Sequence, residues 1–233
     1  MKISNDTLNI MSSFTNLNTQ IQVKPGSNLV TVSGTNSVLA NAKVEETFDT
    51  EFCIYDLSQF LGAVSMFDAP EFEFGDKSVK VSNGNGSYFN YVYADPRTIT
   101  VPPKDRLELD GDKVTFTLTN DKMKSLQKAS AVLGLPNLVI RNHDSDGIEI
   151  SVEDVKNPTS NKFAGGTIDS DRISEVVSVD FQFVFKFDNI KILNLDYNVE
   201  IYPDKKVAHF QSTNDVVEYW IALEHNDTFY NQV

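Results

Sequence analysis

Cysteine is almost absent. Cys53 stands alone in 233 residues, so no internal disulfide can form, and the sequence predicts a chain kept in a reducing cytoplasm. Long apolar runs are missing too. No stretch approaches the roughly 18 residues that a bilayer crossing needs, and Met1-Lys2-Ile3-Ser4-Asn5-Asp6 turns polar too soon for a signal peptide. Neither a membrane nor secretion is expected. Bases are scarce: 20 lysines and arginines face 33 acids, for a formal net charge of −13. As a sum, this argues against nucleic acid, whose affinity for proteins comes mostly from lysine and arginine neutralising phosphates. Screening over about 8 Å at physiological salt weakens that argument, because a segregated row of lysines acts independently of distant acids. His143, His209 and His225 share no metal-ligand spacing, and no G-x-S-x-G, P-loop or dinucleotide fingerprint occurs. The sequence predicts no active site, no metal and no cofactor.

What is present is a duplication. With 40% hydrophobic and 11% aromatic residues, the chain can bury a sizeable core. Ile3-Ser4-Asn5-Asp6 opens a helical stretch carrying Leu8, Met11 and Phe14, and Leu118-Thr119-Asn120-Asp121 opens another carrying Met123, Leu126, Ala129 and Leu133. In both, side-chain oxygens and an acid suit the unpaired N–H groups of a first turn. Further along, Phe52-Cys53-Ile54-Tyr55 runs into Asp56 and a helix through Leu57, Phe60, Leu61 and Val64. Its counterpart is Val184-Phe185-Lys186-Phe187, running into Asp188 and a helix with Ile190 and Leu193. Asp56 and Asp188 both read as N-caps. Alternating strands fill the remainder, including 29–32, 38–40, 138–140 and 148–152. The expected organisation is a repeat over 1–93, an extended proline-bearing linker over 94–106, and a second repeat over 107–233.

Two segments invite a chemical reading. Asn142-His143-Asp144-Ser145-Asp146-Gly147, with Glu153 beyond, nearly matches a calcium-binding EF-hand loop. Its flanks alternate as strands do, and a hairpin turned by Asp-Gly accounts for the same residues. Lys156–Asp171 is polar, contains Gly165-Gly166, and reads as a mobile loop.

The placement of bases and edges is more informative. On the helix from Asn120, Lys124 and Lys128 fall opposite the apolar stripe; Asn9 and Ser13 are their neutral counterparts in the first repeat, and Lys191 lies outward on the fourth helix. Tyr88, Tyr91 and Tyr93 sit on a β-favouring edge with little charge, and Ile173 and Val177 on another. Open edges of this kind invite another chain, and two unlike edges give head-to-tail rings or filaments.

Ile54-Tyr55-Asp56-Leu57-Ser58-Gln59-Phe60-Leu61-Gly62, Ala94-Asp95-Pro96-Arg97-Thr98, Tyr219-Trp220-Ile221-Ala222-Leu223-Glu224 and the start Met1-Lys2-Ile3-Ser4 together resemble the sliding clamps of T4-like bacteriophages. The resemblance runs in register along the chain, except at Lys156–Asp171 and after Glu224. It implies an α+β DNA clamp fold, with two similar domains of antiparallel sheets and two helices each, the helices lining a ring. It implies a non-enzymatic homotrimer that encircles double-stranded DNA without reading sequence. An ATP-dependent clamp loader would place it on DNA in an infected bacterial cell, where it would tether the replicative DNA polymerase and stimulate late transcription. Lys124, Lys128, Lys191, Asn9 and Ser13 would face DNA. Ile99, Val101, Pro102 and Leu223 would line a pocket for partner peptides. Two rival readings are a β-rich tail or capsid protein that assembles through its edges, and a calcium-dependent enzyme using Asp144 and Asp146.

Overall fold

A computed structural model describes residues 1–143, 147–168 and 179–232. The chain divides into two compact units, Met1–Arg106 and Leu107–Val233. Among the described residues, no helix is long and apolar enough to cross a membrane.

Unit 1 begins with helix α1 (Asn5–Phe14), followed by strands β1 (Ile21–Val23), β2 (Gly26–Val32), β3 (Val38–Phe48) and β4 (Phe52–Ile54). Helix α2 (Leu57–Val64) leads into β5 (Glu71–Phe74), β6 (Ser78–Ser82) and β7 (Tyr88–Val92). The first four strands form an antiparallel ladder in the order β4-β1-β2-β3, and the last three the order β5-β6-β7. Unit 2 repeats this plan with β8 (Val114–Leu118), α3 (Asn120–Leu133), β9 (Asn137–His143), β10 (Gly147–Glu153), β11 (Lys162–Ile168) and β12 (Val179–Lys186). A short 3-10 turn then precedes β13 (Tyr197–Tyr202), β14 (Val207–Ser212) and β15 (Val217–Ala222). Its ladders run β11-β10-β9-β12 and β15-β14-β13-β8, and a further strand, β16 (Phe229–Gln232), adds to the far side of β12. All these pairings are antiparallel.

Local chemistry sets the helix starts. Ser4, Asp56 and Thr119 accept from the N–H groups of Thr7, Gln59 and Lys122, which fixes the first turns of α1, α2 and α3. Thr7, Ile10, Met11 and Phe14 form the buried stripe of α1, with Leu8 only half-buried. Helix α3 ends at Gly134, whose φ of 67° takes the left-handed C-cap that β-carbons resist. Its buried stripe is shorter than the sequence suggests. Met123 and Leu126 are fully buried, while Leu133 is exposed.

Glu46 on β3 secures the start of α1 from outside the helix. It accepts from the Ser4 N–H and from the Thr7 hydroxyl, both at 2.5 Å. Burial alone would raise its carboxyl, but the hydrogen bonds from Thr7 and Ser4 outweigh burial and hold the group below its ordinary range. We expect Glu46→Ala to cost unit 1 about 1–3 kcal/mol by orphaning two donors, read as a lower urea midpoint. Because the folded-state value is depressed, this contribution is fully present above the ordinary carboxylate range and lost as pH falls through the folded value. The gap between wild type and variant therefore closes in acid.

Two sequence readings change here. The fourth helix over Asp188–Leu193 is instead one 3-10 turn, Phe187–Ile190, preceded by Lys186, which makes no side-chain cap. Asp188 and Asn189 are weak helix formers, and the β-branched Ile190 and Ile192 add little. Asp188 is therefore not an N-cap. The matched segments also shift by one residue. The N–H of Ala94 bonds the Cys53 carbonyl at 2.9 Å, and that of Glu224 bonds the Val184 carbonyl at 2.7 Å. Cys53 thus corresponds to Val184, where the sequence match set it against Phe185, and in a strand such a slip exchanges faces.

The expected loop at 156–171 contains β11. Thr167 pairs with Glu149 and Ala164 with Ser151, so Gly165 and Gly166 together stand opposite Ile150 as a bulge. Gly166 takes a φ of 82°, open to glycine at little cost. Gly165 serves another purpose. A β-carbon there would lie 2.9 Å from Leu126 Cδ2 and 3.1 Å from the Ile150 carbonyl oxygen, so its absence lets α3 lie close on β10 and β11.

Aromatic side chains fill the cores. In unit 2, Phe181 and Phe183 stack at 4.8 Å, and Tyr230 of β16 lies over both. Tyr197, Phe210 and Tyr219 meet edge to face. Burial contributes about 1.5–3 kcal/mol for each such ring.

Candidate nucleic-acid and partner surfaces

Helix α3 carries the clearest basic face. Lys124 and Lys128 are exposed, and neither has an ion pair among the described residues. Four-residue spacing places them on one side, across from buried Met123 and Leu126. Lys122 is committed elsewhere, donating to the Thr167 carbonyl at 3.0 Å. On α1, Asn9 is exposed and Ser13 half-buried. Each helix opens on an exposed acid, Asp6 or Asp121, suited to the positive end of the helix dipole. After those first turns neither helix carries an acid. Lys191 differs. It follows the 3-10 turn and pairs with Asp188 at 2.8 Å, so part of its charge is already answered.

The linker is tied onto unit 1 by polar side chains. Gln20 accepts from the Thr100 N–H at 2.8 Å, Asn41 donates to the Asp105 carbonyl, and Lys24 pairs with the Asp105 carboxylate. Asp95 caps the 3-10 turn Pro96–Thr98; hydrogen bonds from the Arg97 side chain and N–H hold its carboxyl down at about 2. Ile99 is buried, Pro102 half-buried and Val101 exposed. Leu223, in unit 2, is buried, its N–H bonded to the Lys206 carbonyl.

Among the described residues β7 is an outer strand of its sheet, and its tyrosines divide. Tyr88, Asn90 and Val92 face outward. Tyr91 turns inward onto Phe60, with its hydroxyl bonded to the Asp56 backbone. Tyr93 stacks on Phe52, and burial pushes its phenol up to about 12. Met66, at 69% exposure, and the stacked pair Phe67–Phe89 extend this apolar edge. The second predicted edge, with Ile173 and Val177, lies outside the described residues. Where β12 is described, β9 and β16 cover both its sides. Among the described residues the outermost strand of that ladder is β11, and α3, which packs on β10 and β11, exposes Val132 (74%) and Leu133 (41%) in its last turn. Neither residue was marked as outward by the sequence, since helical spacing placed Leu133 in the core.

The calcium reading meets a different geometry. Asp144 and Asp146 lie outside the described residues, but β9 and β10 pair without a break from Gly147↔His143 to Glu153↔Asn137. The flanks are strands, and Glu153 is held by Arg141 at 2.5 Å. Cys53 is buried in β4, where burial raises its thiol.

Comparison with known proteins places these surfaces in context. The family described as gp45 sliding clamp, C terminal, matches residues 115–225. The sliding clamp of Vibrio phage KVP40 is 30% identical over 228 residues, covering 96% of this chain and 99% of that protein. The sliding clamp of Escherichia phage RB69 is 26% identical, over 98% of this chain and 99% of that one. Among solved structures, the A. fulgidus PCNA bound to the C-terminal region of FEN-1 superimposes with a TM-score of 0.63 at 15% identity, over 94% of this chain and 95% of that chain.

Proposed function

This chain belongs to the sliding-clamp family of T4-like phages, and from that premise we propose that three copies close head to tail into a ring that tethers the replicative DNA polymerase to duplex DNA. The clamp performs no chemistry itself. It works in the cytoplasm of an infected bacterium, and an ATP-dependent loader opens it. The observation that carries the DNA reading is the pair Lys124 and Lys128, exposed on one helix face and without an ion pair among the described residues, in a chain of net charge −13. Acid elsewhere discourages DNA from adhering to other surfaces, while a few phosphate contacts support sliding without reading bases. Encirclement removes the need for tight binding. A tethered polymerase that loses the primer end rebinds at high effective concentration.

Two unlike apolar patches support the assembly. One is the β7 edge with Met66, Phe67 and Val92; the other is the last turn of α3 with Val132 and Leu133, on the helix that packs against β11. Different patches on one chain make a heterologous contact, which closes only at a fixed rotation per copy. The polar ties that hold the linker leave Val101 outward, available to an apolar partner peptide alongside Ile99 and Pro102. The whole-length likeness to phage clamps favours this reading over an array-forming virion protein.

The decisive experiment loads the protein on nicked circular DNA and then linearises it. Retention on the circle, with loss through free ends after cutting, is the expected result. Equal retention on both would mean adhesion without topological linkage.

A further inference from the structure

The two units differ at one sheet edge. In unit 2, β8 covers β13 over five consecutive pairs, from Tyr197↔Leu118 to Ile201↔Val114. At the equivalent edge of β5, pairing among the described residues is limited to Lys2 opposite Glu71, together with Met1. The Met1 ammonium donates to the Phe72 carbonyl at 2.7 Å, and the Met1 carbonyl accepts from the Phe72 N–H at 2.8 Å. Strand alternation turns the N–H and C=O of Phe74 the same way as those of Phe72, and no strand among the described residues pairs there.

A cavity of about 490 Å³ lies against this edge. Phe48, Phe52 and Phe74 meet in it, with ring centroids 4.9–5.9 Å apart. Its rim is acidic and exposed: Asp49, Glu71 and Glu73. Lys80 reaches Glu73 at 3.6 Å in an exposed pair, which contributes little.

We propose that this edge of β5 receives a short extended segment of a partner protein, carrying an aromatic or aliphatic anchor flanked by lysine or arginine. The anchor enters the aromatic cavity, its backbone pairs with Phe74, and the flanking cations meet Asp49, Glu71 and Glu73. This is strand addition, in which main-chain bonds supply affinity and a side-chain pocket supplies choice. Charge complementarity selects the occupant, because the same rim repels a nucleic-acid backbone and an acidic peptide. The inference does not depend on ring closure, since every lining residue belongs to unit 1.

The test uses the full chain and a fluorescein-labelled probe, an acetylated hexapeptide alternating lysine with valine around a central phenylalanine. Saturable anisotropy is expected at low salt, weakened roughly tenfold or more, about 1.4 kcal/mol, by Glu71→Lys with Glu73→Lys. Both positions are exposed, and circular dichroism verifies that the fold persists. N-methylating the probe backbone should weaken binding as well. The proposal is overturned by any of four results: no saturable binding, equal affinity for a glutamate-for-lysine probe, full affinity for the methylated probe, or loss on Val101→Asp but not on the double charge reversal.

Discussion

Val132→Asp combined with Leu133→Asp is expected to leave each chain folded and to abolish the ring. Both side chains stand exposed at the end of α3, so in an isolated chain the substitution exchanges apolar surface for polar surface in water and costs little. At a closed interface the same carboxylates are buried without a partner. Burying unpaired charge at a contact costs about 2–4 kcal/mol even after relaxation, which weakens each interface roughly thirty- to several hundred-fold. A ring repeats this penalty at every joint. Native mass spectrometry should find single chains for the variant and, for the wild type, the proposed assembly of three, with unchanged circular dichroism. A trimer that persists would remove this helix end from the contact.

Lys124→Glu with Lys128→Glu should produce the second large effect and leave the oligomer untouched. Each exchange shifts the local charge by two units, so the helix face changes from attracting phosphate to repelling it. Processive synthesis and retention on circular DNA should fall severalfold or more at low salt. The difference from wild type should narrow as added salt screens both attraction and repulsion. A deficit that does not respond to salt would point to a folding or loading defect. Lys191→Glu should matter less, because Asp188 at 2.8 Å already offsets part of the local positive charge.

What the sequence made legible was local. Ser4, Asp56 and Thr119 were readable as caps because a cap is decided within four residues. The repeated order of helices and strands was readable because hydrophobic periodicity survives duplication. The losses were non-local or ambiguous. The spacing of Ile190 and Leu193 satisfied a helical pattern that Asp188, Asn189 and an uncapped Lys186 could not sustain. Gly165-Gly166 reads as a loop, since glycine marks both turns and places where backbones must approach; only the position of Leu126 distinguishes the two. Glu46 left no signal at all, because its partners lie 39 and 42 residues away. Exposure was the hardest property to read. The outward turn of Val132 and the inward turn of Tyr91 and Tyr93 depend on packing that no window of sequence contains.

The paired glycines in β11 also protect the protein while it is still a lone chain. An exposed strand without a neighbour is a template for indiscriminate zippering. The bulge divides β11 into a three-residue stretch and a shorter one, each out of step with the other. A straight foreign strand finds only a few matching bonds before the ladder breaks. Aggregation is thus resisted by backbone shape, at an edge that charge alone leaves lightly guarded.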